Sequence, residues 1–437
     1  MTIFFDHDIR MASVGVEKKA IEFENVKDAA TRIGPFINLT PVLTCSTLDR
    51  MAGKSLYFKC ENFQKGGAFK FRGAMNAVLK LTEDKSTGEL PAVVTHSSGN
   101  HAQALALAAR IKGLKAHIVM PNNAPAVKKA AVKDYGARII ECGVSQQNRE
   151  EAATRTLKET GPNSYLIPPY DHKDIIAGQG TMALELLEQV PDLDAIVVPV
   201  GGGGMLSGIC VAAKGLKPSI KIFAAEPLEA NDCAKSFAAG ERIPLPGVEI
   251  PPTQLQPQVT PVTLPEQYSQ IVFDLETSSR GHDTEILQIA ATHGVEIPPT
   301  QLQPQVTPVT LPEQYSQIVF DLETSSRGHD TEILQIAATH GPPATVADGL
   351  KTSLGFLTWP IIRDNIEDVI TVTESEIITA MRLVWERMKV VIEPSAAVGV
   401  AAVLNDKFRA EKTGSIAKVG IILCGGNVNL DNLPWNK

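Results

Sequence analysis

The sequence predicts an α/β fold in which mainly parallel β-sheets carry helices on both faces. Strand-like and helix-like segments alternate along the chain outside residues 248–341, as in βαβ units. Residues 195–200 form an apolar run rich in β-branched side chains, which is typical of a strand buried on both faces. At 437 residues, 43% of them hydrophobic, the chain is long enough for two or three domains.

The individual elements follow from hydrophobic period and from the Gly, Pro and polar residues that separate the segments. We expect strands at 55–61, 92–96, 116–120, 137–142, 195–200, 221–225 and 418–423. We expect helices at 69–81, 100–111, 126–135, 148–159, 175–189, 205–213, 374–389 and 395–404. Because a helix separates most successive strands, these strands are predicted to lie parallel.

A tandem repeat interrupts this order. Residues 248–294 recur without change as 295–341, and each copy holds six acidic residues and one basic one. The acidity of the whole chain, which has a net charge of −8, therefore comes from the repeat. Each copy opens with a Pro- and Gln-rich stretch that favours extended chain, and then shows a strand pattern at 271–273 and a helix pattern at 285–291. Two copies are too few for a stable solenoid.

Composition narrows the function classes. The six cysteines lie far apart without a CxxC pair, which favours reduced thiols in a cytoplasmic protein over disulfides or a zinc site. The first 18 residues do not resemble a signal peptide, and no later run is long enough to span a membrane. The acidic net charge argues against nucleic acid as the main partner. We expect a cytoplasmic protein that acts on small molecules.

Lys70 is the first candidate for chemistry. It lies between two phenylalanines in the segment Gly66-Gly67-Ala68-Phe69-Lys70-Phe71-Arg72-Gly73-Ala74. Neighbours that exclude water disfavour the charged amine and lower its pKa, and a neutral amine can form an imine with an aldehyde. The same pattern also fits a lysine at the start of a helix whose side chain extends over apolar neighbours to solvent.

Three other segments place glycines and short polar residues at strand ends: 97–101, 201–204 and 424–427. Ser-Ser-Gly-Asn-His at 97–101 opens a helix and could bind an anion, although Ser98 or Asn100 could also be an ordinary N-cap. Four consecutive glycines after a buried strand suit a phosphate cradle, but they match neither a Walker loop nor a GxGxxG turn. Cys424 ends the last buried strand, where open sheets bind ligands. Together with a lysine that can form an imine, this set suits pyridoxal 5′-phosphate.

The ordered motifs resemble the fold-type II pyridoxal-phosphate enzymes, and most closely their serine racemase and serine/threonine dehydratase branch. The motifs are 67–74, 97–101, 177–181, 201–205, 392–394 and 424–427, and the resemblance covers 23–247 and 342–430. It implies two open, twisted, mainly parallel sheets with the proline-rich tandem insertion between two parts of the fold. The implied domains are a large domain (1–91, 170–247 and 342–437), a small domain (92–169) and the insertion (248–341).

The resemblance assigns the cofactor contacts. Lys70 would hold pyridoxal phosphate as an imine and then act as a base on one face of the substrate Cα. Asn100 would hydrogen-bond the ring hydroxyl, and Cys424 would face the pyridine nitrogen, where many relatives have serine. Because a thiol is a weaker hydrogen-bond partner than a hydroxyl, the electronic effect of Cys424 is left open. The phosphate would bind the backbone of Gly201, Gly202, Gly203, Gly204 and Met205.

Ser98 distinguishes the possible reactions. Serine racemases resemble this chain in having Ser-Ser-Gly-Asn-His, whereas bacterial threonine dehydratases more often have alanine at the position of Ser98. Ser98 would exchange the Cα proton on the face opposite Lys70. The implied function is interconversion of L- and D-serine with β-elimination to pyruvate and ammonia; the alternatives are a serine/threonine dehydratase without significant racemisation, or an aspartate racemase. Substrate contacts would come from Ser97, His101 and Arg149.

The resemblance also implies a metal and an effector. Glu226, Asp232 and the carbonyl of Ala230 match a loop that binds Mg²⁺ or Ca²⁺, although two nearby acids are also common in a solvated loop. Animal members of this branch bind ATP at the interface of a homodimer. The residues here that match the nucleotide site are Lys65, Gln103, Tyr135 and Asn427.

The repeat suggests a competing interpretation. Asp274 and Glu276, with Asp321 and Glu323 in the second copy, resemble the first motif of DEDD-type exonucleases, in which two metals activate water. Each copy ends before the further acidic motifs that this chemistry needs. We therefore expect a passive insertion, and the non-enzyme alternative is an interaction scaffold formed through residues 248–341.

Overall fold

The computed structural model describes residues 21–83, 90–124, 126–245, 273–274, 290–291, 343–409 and 415–436. The chain forms two compact units. The first combines Met1–Ile243 with Thr345–Lys437, and the second is Pro244–Ala344. None of the helices within the described ranges is long and apolar enough to cross a membrane.

The secondary structure confirms the predicted alternation of strands and helices. The strands are β1 Val42–Leu43, β2 Ser55–Cys60, β3 Ala92–His96, β4 Lys115–Pro121, β5 Arg138–Cys142, β6 Ser164–Leu166, β7 Ala195–Pro199, β8 Lys221–Pro227, β9 Phe273–Asp274, β10 Ala290–Ala291, β11 Asp368–Val372 and β12 Lys418–Leu423. The helices are α1 Phe23–Ile33, α2 Ser46–Ala52, α3 Lys70–Glu83, α4 Asn100–Lys112, α5 Ala126–Asp134, α6 Gln146–Thr160, α7 Lys173–Gln189, α8 Gly204–Leu216, α9 Asp232–Ala239, α10 Thr358–Asn365, α11 Glu374–Leu383, α12 Pro394–Leu404 and α13 Asp406–Arg409.

The larger sheet has six strands in the order β1-β2-β12-β7-β8-β11. All neighbours are parallel except β1 and β2. Every residue of β7 is buried, as its apolar sequence predicts for a central strand. Helix α12 packs on β7, β8 and β12, while α7 packs against α8 and α1. Because the strands are parallel, the carboxyl ends of β2, β12 and β7 meet at one edge of the sheet.

The smaller sheet has four parallel strands in the order β5-β4-β3-β6. Its core includes Val93 from β3, Ile118 from β4 and Leu105 from α4. Phe71 and Met75 from α3 pack into the same core, so the helix that begins with Lys70 contributes to it. All four strands lie within 92–169, the range assigned to the small domain. The division into domains itself stays a prediction, since both sheets belong to one compact unit.

Several elements differ from the sequence-based expectation. Strands β1, β6 and β11 and helices α1, α2, α9, α10 and α13 were not predicted, and all of these except α1 have at most eight residues. The helix expected at 374–389 is α-helical only to Leu383, continues as a π-helical turn over Val384–Met388, and ends at Lys389 with φ 60°. That left-handed residue stops the helix just before the Ile392-Glu393-Pro394 motif.

In the second unit the described residues form one short pairing, Phe273–Asp274 antiparallel to Ala290–Ala291. The strand pattern at 271–273 is present at Phe273. The helix expected over 285–291 is wrong at its end, since Ala290 and Ala291 are extended. The nuclease-like Asp274 lies on this strand, whereas Glu276, Asp321 and Glu323 lie outside the described residues.

A buried ionic cluster joins α3 to the larger sheet. The Arg72 guanidinium is fully buried and binds Glu61 through Nε and Nη2, both at 2.8 Å. It binds Glu185 on α7 through Nη1 at 2.6 Å, and Lys59 on β2 reaches the same carboxylate at 2.6 Å. Thr40 donates to Glu61 at 2.7 Å. Two cations pair with two carboxylates, so the charges of the cluster balance. Because Arg72 lies two residues after Lys70, the cluster also fixes the first turn of α3.

We expect Arg72→Ala to lower the free energy of unfolding by about 3–5 kcal/mol, because it leaves the carboxylates of Glu61 and Glu185 buried without their main partner. Chemical denaturation followed by circular dichroism measures this loss. The matched control is Arg155→Ala, which removes an exposed i,i+4 pair with Glu159 and should change stability little. A loss for Arg72→Ala as small as that of the control would contradict the structural role of the cluster.

Candidate active site

The segment before Lys70 is fixed to the carboxyl end of β12 by backbone hydrogen bonds. The Phe69 N–H donates to the Cys424 carbonyl at 3.0 Å, and the Gly426 N–H donates to the Gly67 carbonyl at 2.9 Å. Gly67 has φ +73°, a left-handed conformation that favours glycine. Two of the sequence motifs, 66–74 and 424–427, lie far apart in the sequence and are thereby brought into contact.

Lys70 is the first residue of α3, and its residue surface is only partly exposed. Its Nζ donates to the Pro169 carbonyl at 2.7 Å and lies 5.0 Å from the centre of the Phe69 ring. Burial of the amine lowers the pKa of Lys70 to about 8, against the opposing influence of Cys424 and Glu393. The interpretation of Lys70 as a solvated helix residue does not fit this environment. The amine is available in neutral form close to neutral pH.

Asn100 is oriented by two side chains. Its Nδ2 donates to the Glu393 carboxylate, at 2.9 Å to Oε1 and 3.1 Å to Oε2. The Asn427 Nδ2 donates to the Asn100 Oδ1 at 3.0 Å and to the Gly66 carbonyl at 2.8 Å. These contacts fix which end of the Asn100 amide carries the donor.

Glu393 is a site residue to which the sequence assigned no role. It is buried, and burial raises the pKa of Glu393 to about 7, with Asp348 adding to the increase and the Asn100 hydrogen bond opposing it. Its place in the sequence offers a signal, because it precedes Pro394 at the start of the wholly apolar helix α12. Glu393 is the N-cap residue of α12, so its carboxylate lies at the end of the sheet from which that helix begins.

The turn between β3 and α4 carries Ser97 and Ser98, both partly exposed. The expectation that Ser98 or Asn100 could be an ordinary N-cap is wrong, because the N-cap is Gly99 and no side chain caps the helix. The free N–H groups of the first turn therefore remain available to an anion. Asn100 opens this helix, so the Ser98 hydroxyl lies on the same turn as a residue that contacts the Lys70 site.

His101 is buried beside this turn. Its Nε2 contacts the Ile167 carbonyl at 2.9 Å, which requires Nε2 to carry the proton. Burial, and then the charge of Lys70, lowers the pKa of His101 to about 3, so the ring is neutral. Its Nδ1 is a buried acceptor without a hydrogen-bond partner within the described part of the chain. A ligand that donates a hydrogen bond would satisfy it.

The four glycines form a closely surrounded turn between β7 and α8. A Cβ on Gly202 would lie 2.4 Å from the Tyr170 ring, and one on Gly203 would lie 2.7 Å from the Thr358 hydroxyl. Gly203 also has φ +87°. The first N–H groups of α8, from Gly204 and Met205, have no intrahelical acceptor and lie at the positive end of the helix dipole. The turn therefore fits a phosphate group.

Cys424 lies at the end of β12 and is buried. Burial raises the pKa of its thiol well above the usual value, and the charge of Glu393 adds to this effect. The thiol is therefore neutral, as the partner of a pyridine nitrogen should be in this group of enzymes. Lys70, Asn100 and Cys424, which were predicted from three separate motifs, thus lie around one point, and Asn427 contacts Asn100 there.

The contacts of the other predicted site residues are with partners outside this group. Arg149 is on α6, where its Nη2 donates to the Val144 carbonyl at 2.9 Å and its buried Nε has no partner among the described residues. Gln103 is buried in α4, and Tyr135 lies under the Arg110 guanidinium at 5.2 Å. Lys65 lies in the turn that precedes Lys70, where its backbone N–H donates to the Gln64 side chain.

Glu226 and Asp232 form a second group of buried charges. The Glu226 carboxylate accepts the N–H groups of Cys233 at 2.9 Å and Ala234 at 3.0 Å, while Asp232 Oδ2 accepts that of Leu354 at 2.8 Å. Burial raises the pKa of both acids, that of Asp232 to about 7, and the charge of Asp232 raises that of Glu226 further.

The Asp232 Oδ1 has no hydrogen-bond partner in the described ranges, so this group fits a divalent cation better than a solvated loop. No three His, Cys, Asp or Glu side chains of the described residues cluster as ligands. The third protein ligand would have to be a backbone oxygen such as that of the buried Ala230.

Comparisons with known proteins agree with this geometry. The chain matches the family described as pyridoxal-phosphate dependent enzyme over residues 33–295 and 321–425. It is 41% identical over 421 residues to serine racemase from Arabidopsis thaliana, which covers 96% of this chain and 97% of the relative. The structure of maize serine racemase superposes with a TM-score of 0.70 at 38% identity, covering 95% of this chain and 96% of that one. A pyridoxal 5′-phosphate-dependent aspartate racemase superposes with a TM-score of 0.69 at 35% identity, covering 96% and 100%.

The lowered pKa of Lys70 predicts how the rate at which the cofactor-free chain binds pyridoxal phosphate changes with pH. Only the neutral amine attacks the aldehyde, so the association rate should rise about tenfold per pH unit below pH 8 and level off above it. Stopped-flow absorbance across this range measures the rate. Lys27→Ala, which removes an exposed lysine on α1, should give the same profile as the unaltered chain. A profile that keeps rising to the ordinary lysine value of 10.5 would contradict the environment described for Lys70.

Proposed function

The chain belongs to the pyridoxal-phosphate dependent enzyme family, and within it we propose that the protein interconverts L- and D-serine and also eliminates serine to pyruvate and ammonia. One observation carries this proposal. Asn100, in the turn that holds Ser98, donates to the Glu393 carboxylate, whose charge in turn acts on the amine of Lys70. A basic amine and a hydroxyl are the two groups that proton exchange on opposite faces of one carbon requires.

Pyridoxal phosphate is the cofactor of this family, and when bound it withdraws electrons from the substrate Cα and makes the Cα proton acidic. The chain supplies the surroundings. The glycine turn at 201–204 with the Met205 N–H would bind the phosphate, and Asn100 would donate to the ring hydroxyl. Cys424 would meet the ring nitrogen as a neutral thiol, which moderates electron withdrawal compared with a carboxylate.

Lys70 would exchange the Cα proton on one face of the substrate. Its pKa of about 8 lets it accept a proton and return it near neutral pH, which an ordinary lysine would do poorly. The Glu393 carboxylate lies close enough to oppose the lowering of that pKa, so it helps to stabilise the protonated amine.

Ser98 would serve the opposite face. Its hydroxyl is in an uncapped turn at the N-terminus of α4, and the positive end of a helix dipole favours transient loss of a hydroxyl proton. When the proton returns on the face from which it left, the substrate is unchanged; when it returns from the other residue, the configuration inverts. If the β-hydroxyl instead took up a proton and left as water after the same deprotonation, the released aminoacrylate would react with water to give pyruvate and ammonia.

Substrate recognition would use Ser97, His101 and Arg149. The unpartnered His101 Nδ1 would accept a hydrogen bond from the substrate, and the neutral ring would not compete for its proton. The buried, unpartnered Nε of Arg149 provides a donor suited to a carboxylate. A small polar amino acid satisfies both groups.

The remaining assignments extend the same proposal. Glu226, Asp232 and the Ala230 carbonyl would bind Mg²⁺ or Ca²⁺, which would relieve the repulsion between the two buried carboxylates. The protein would act in the cytoplasm as a homodimer and divide into a large and a small domain around the insertion. ATP would be an effector, bound by Lys65, Gln103, Tyr135 and Asn427.

Two other activities of the same site are alternatives to serine racemisation. A serine/threonine dehydratase would use the Lys70 side of the site without productive exchange by Ser98. An aspartate racemase is favoured by the structural likeness at 35% identity, and by the guanidinium of Arg149, which could contact a second carboxylate. The scaffold alternative is disfavoured because the cofactor residues on both sides of the insertion converge on one site.

We expect the purified chain to show a visible absorbance band from pyridoxal phosphate bound to Lys70, and Lys70→Ala to lose it. The absorbance spectrum after gel filtration measures this directly. Lys27→Ala, on the exposed surface of α1, is the matched control and should keep the band. A band of full intensity in Lys70→Ala would exclude Lys70 as the anchor.

Incubation with L-serine should yield both D-serine and pyruvate, because Lys70 and Ser98 would exchange the Cα proton on opposite faces. Chiral chromatography and a pyruvate assay on the same sample measure the two products, with L-threonine and L-aspartate as parallel substrates. Pyruvate without D-serine would identify a dehydratase. Faster inversion of aspartate than of serine would identify an aspartate racemase instead.

A further inference from the structure

Residues 354–358, which we call the strap, run beside the glycine turn and lead into α10. The carboxylate of Asp171 accepts three consecutive backbone N–H groups from it. Phe356 donates at 2.9 Å to Oδ2, and Leu357 and Thr358 donate at 2.8 and 3.3 Å to Oδ1. Asp171 and the strap are more than 180 residues apart in the sequence, so this contact is tertiary.

The strap forms one wall of the glycine turn. The Gly355 N–H donates to the Gly202 carbonyl at 3.2 Å, and the Thr358 hydroxyl donates to the same carbonyl at 2.9 Å. The Thr358 carbonyl accepts from Ser207 on α8 at 3.1 Å. The strap therefore fixes both the turn and the first part of the helix whose N–H groups would meet the phosphate.

Asp171 also belongs to a segment that contacts the rest of the site. Two residues earlier, Pro169 accepts the Lys70 amine, and between them the Tyr170 ring lies against Gly202. Three consecutive residues thus contact the reactive amine, the glycine turn and the strap.

A carboxylate near an anion cradle is unfavourable unless its charge is engaged elsewhere. Here both oxygens of Asp171 are engaged by N–H groups of the strap. The carboxylate is therefore suited to building the cradle and not to contacting an anion.

We propose that Asp171 is a positioning residue that holds the strap against the glycine turn and so shapes the cradle for the cofactor phosphate. This inference rests on the proposed function, because it concerns the same cofactor. Without the carboxylate, three backbone N–H groups of the strap lose their acceptor. The strap is then less well positioned to donate to the Gly202 carbonyl. Binding of the phosphate should weaken more than binding of the rest of the cofactor.

The test compares pyridoxal phosphate with pyridoxal, which lacks the phosphate, on the full chain freed of cofactor. Dissociation constants are measured by absorbance titration for the unaltered chain, Asp171→Ala and Asp171→Asn. The matched control is Asp364→Asn on α10, which removes an exposed carboxylate paired with Arg363. The second Asp171 variant, which keeps the side-chain size and one acceptor oxygen, covers a failure of Asp171→Ala to fold.

We expect Asp171→Ala to weaken pyridoxal phosphate binding about 10- to 100-fold, and Asp171→Asn to weaken it less, since a charged acceptor is lost in both. Pyridoxal binding should change little in either variant, and Asp364→Asn should behave as the unaltered chain. Equal weakening of both ligands, or no weakening of either, would overturn the positioning role. If the unaltered chain bound neither ligand, the proposed function itself would fail.

Discussion

The site depends on the backbone hydrogen bonds that join the segment before Lys70 to the end of β12. They connect two parts of the chain separated by the whole smaller sheet and the insertion. The Phe69 N–H meets the Cys424 carbonyl, so the first residue of α3 is placed beside the end of a buried strand. Because Asn427 follows on the same strand end and binds Asn100, the third motif is fixed by the same junction.

Burial shifts the pKa values of the ionisable groups at this junction. The pKa values of Lys70, His101, Cys424 and Glu393 all move toward the neutral form of each group, and loss of hydration is the largest cause in every case. A site built this way keeps few fixed charges close to the reacting carbon. The proposed proton transfer between Lys70 and a substrate would then require little reorganisation of neighbouring ions. The buried charges of the Arg72 cluster are paired with one another.

Residues whose roles are local were predictable from the sequence, and those that act through tertiary contacts were not. Lys70, the glycine turn and Cys424 follow strand or helix boundaries that hydrophobic period reveals. The sequence named Glu393 only as part of a motif, because its partner Asn100 is 293 residues away. Asp171 had no signal at all, since nothing in its neighbourhood indicates that it accepts N–H groups from the strap. The order of strands in the larger sheet likewise depends on packing between distant segments.

The central claim is that Lys70 and Ser98 exchange the Cα proton on opposite faces, and deuterium exchange in Ser98→Ala tests it most directly. In D₂O the unaltered chain should incorporate deuterium at Cα of both L- and D-serine while interconverting them. Ser98→Ala should still exchange one enantiomer, through Lys70, yet form its mirror image at least about 100-fold more slowly. Exchange of both enantiomers with undiminished interconversion would contradict the account.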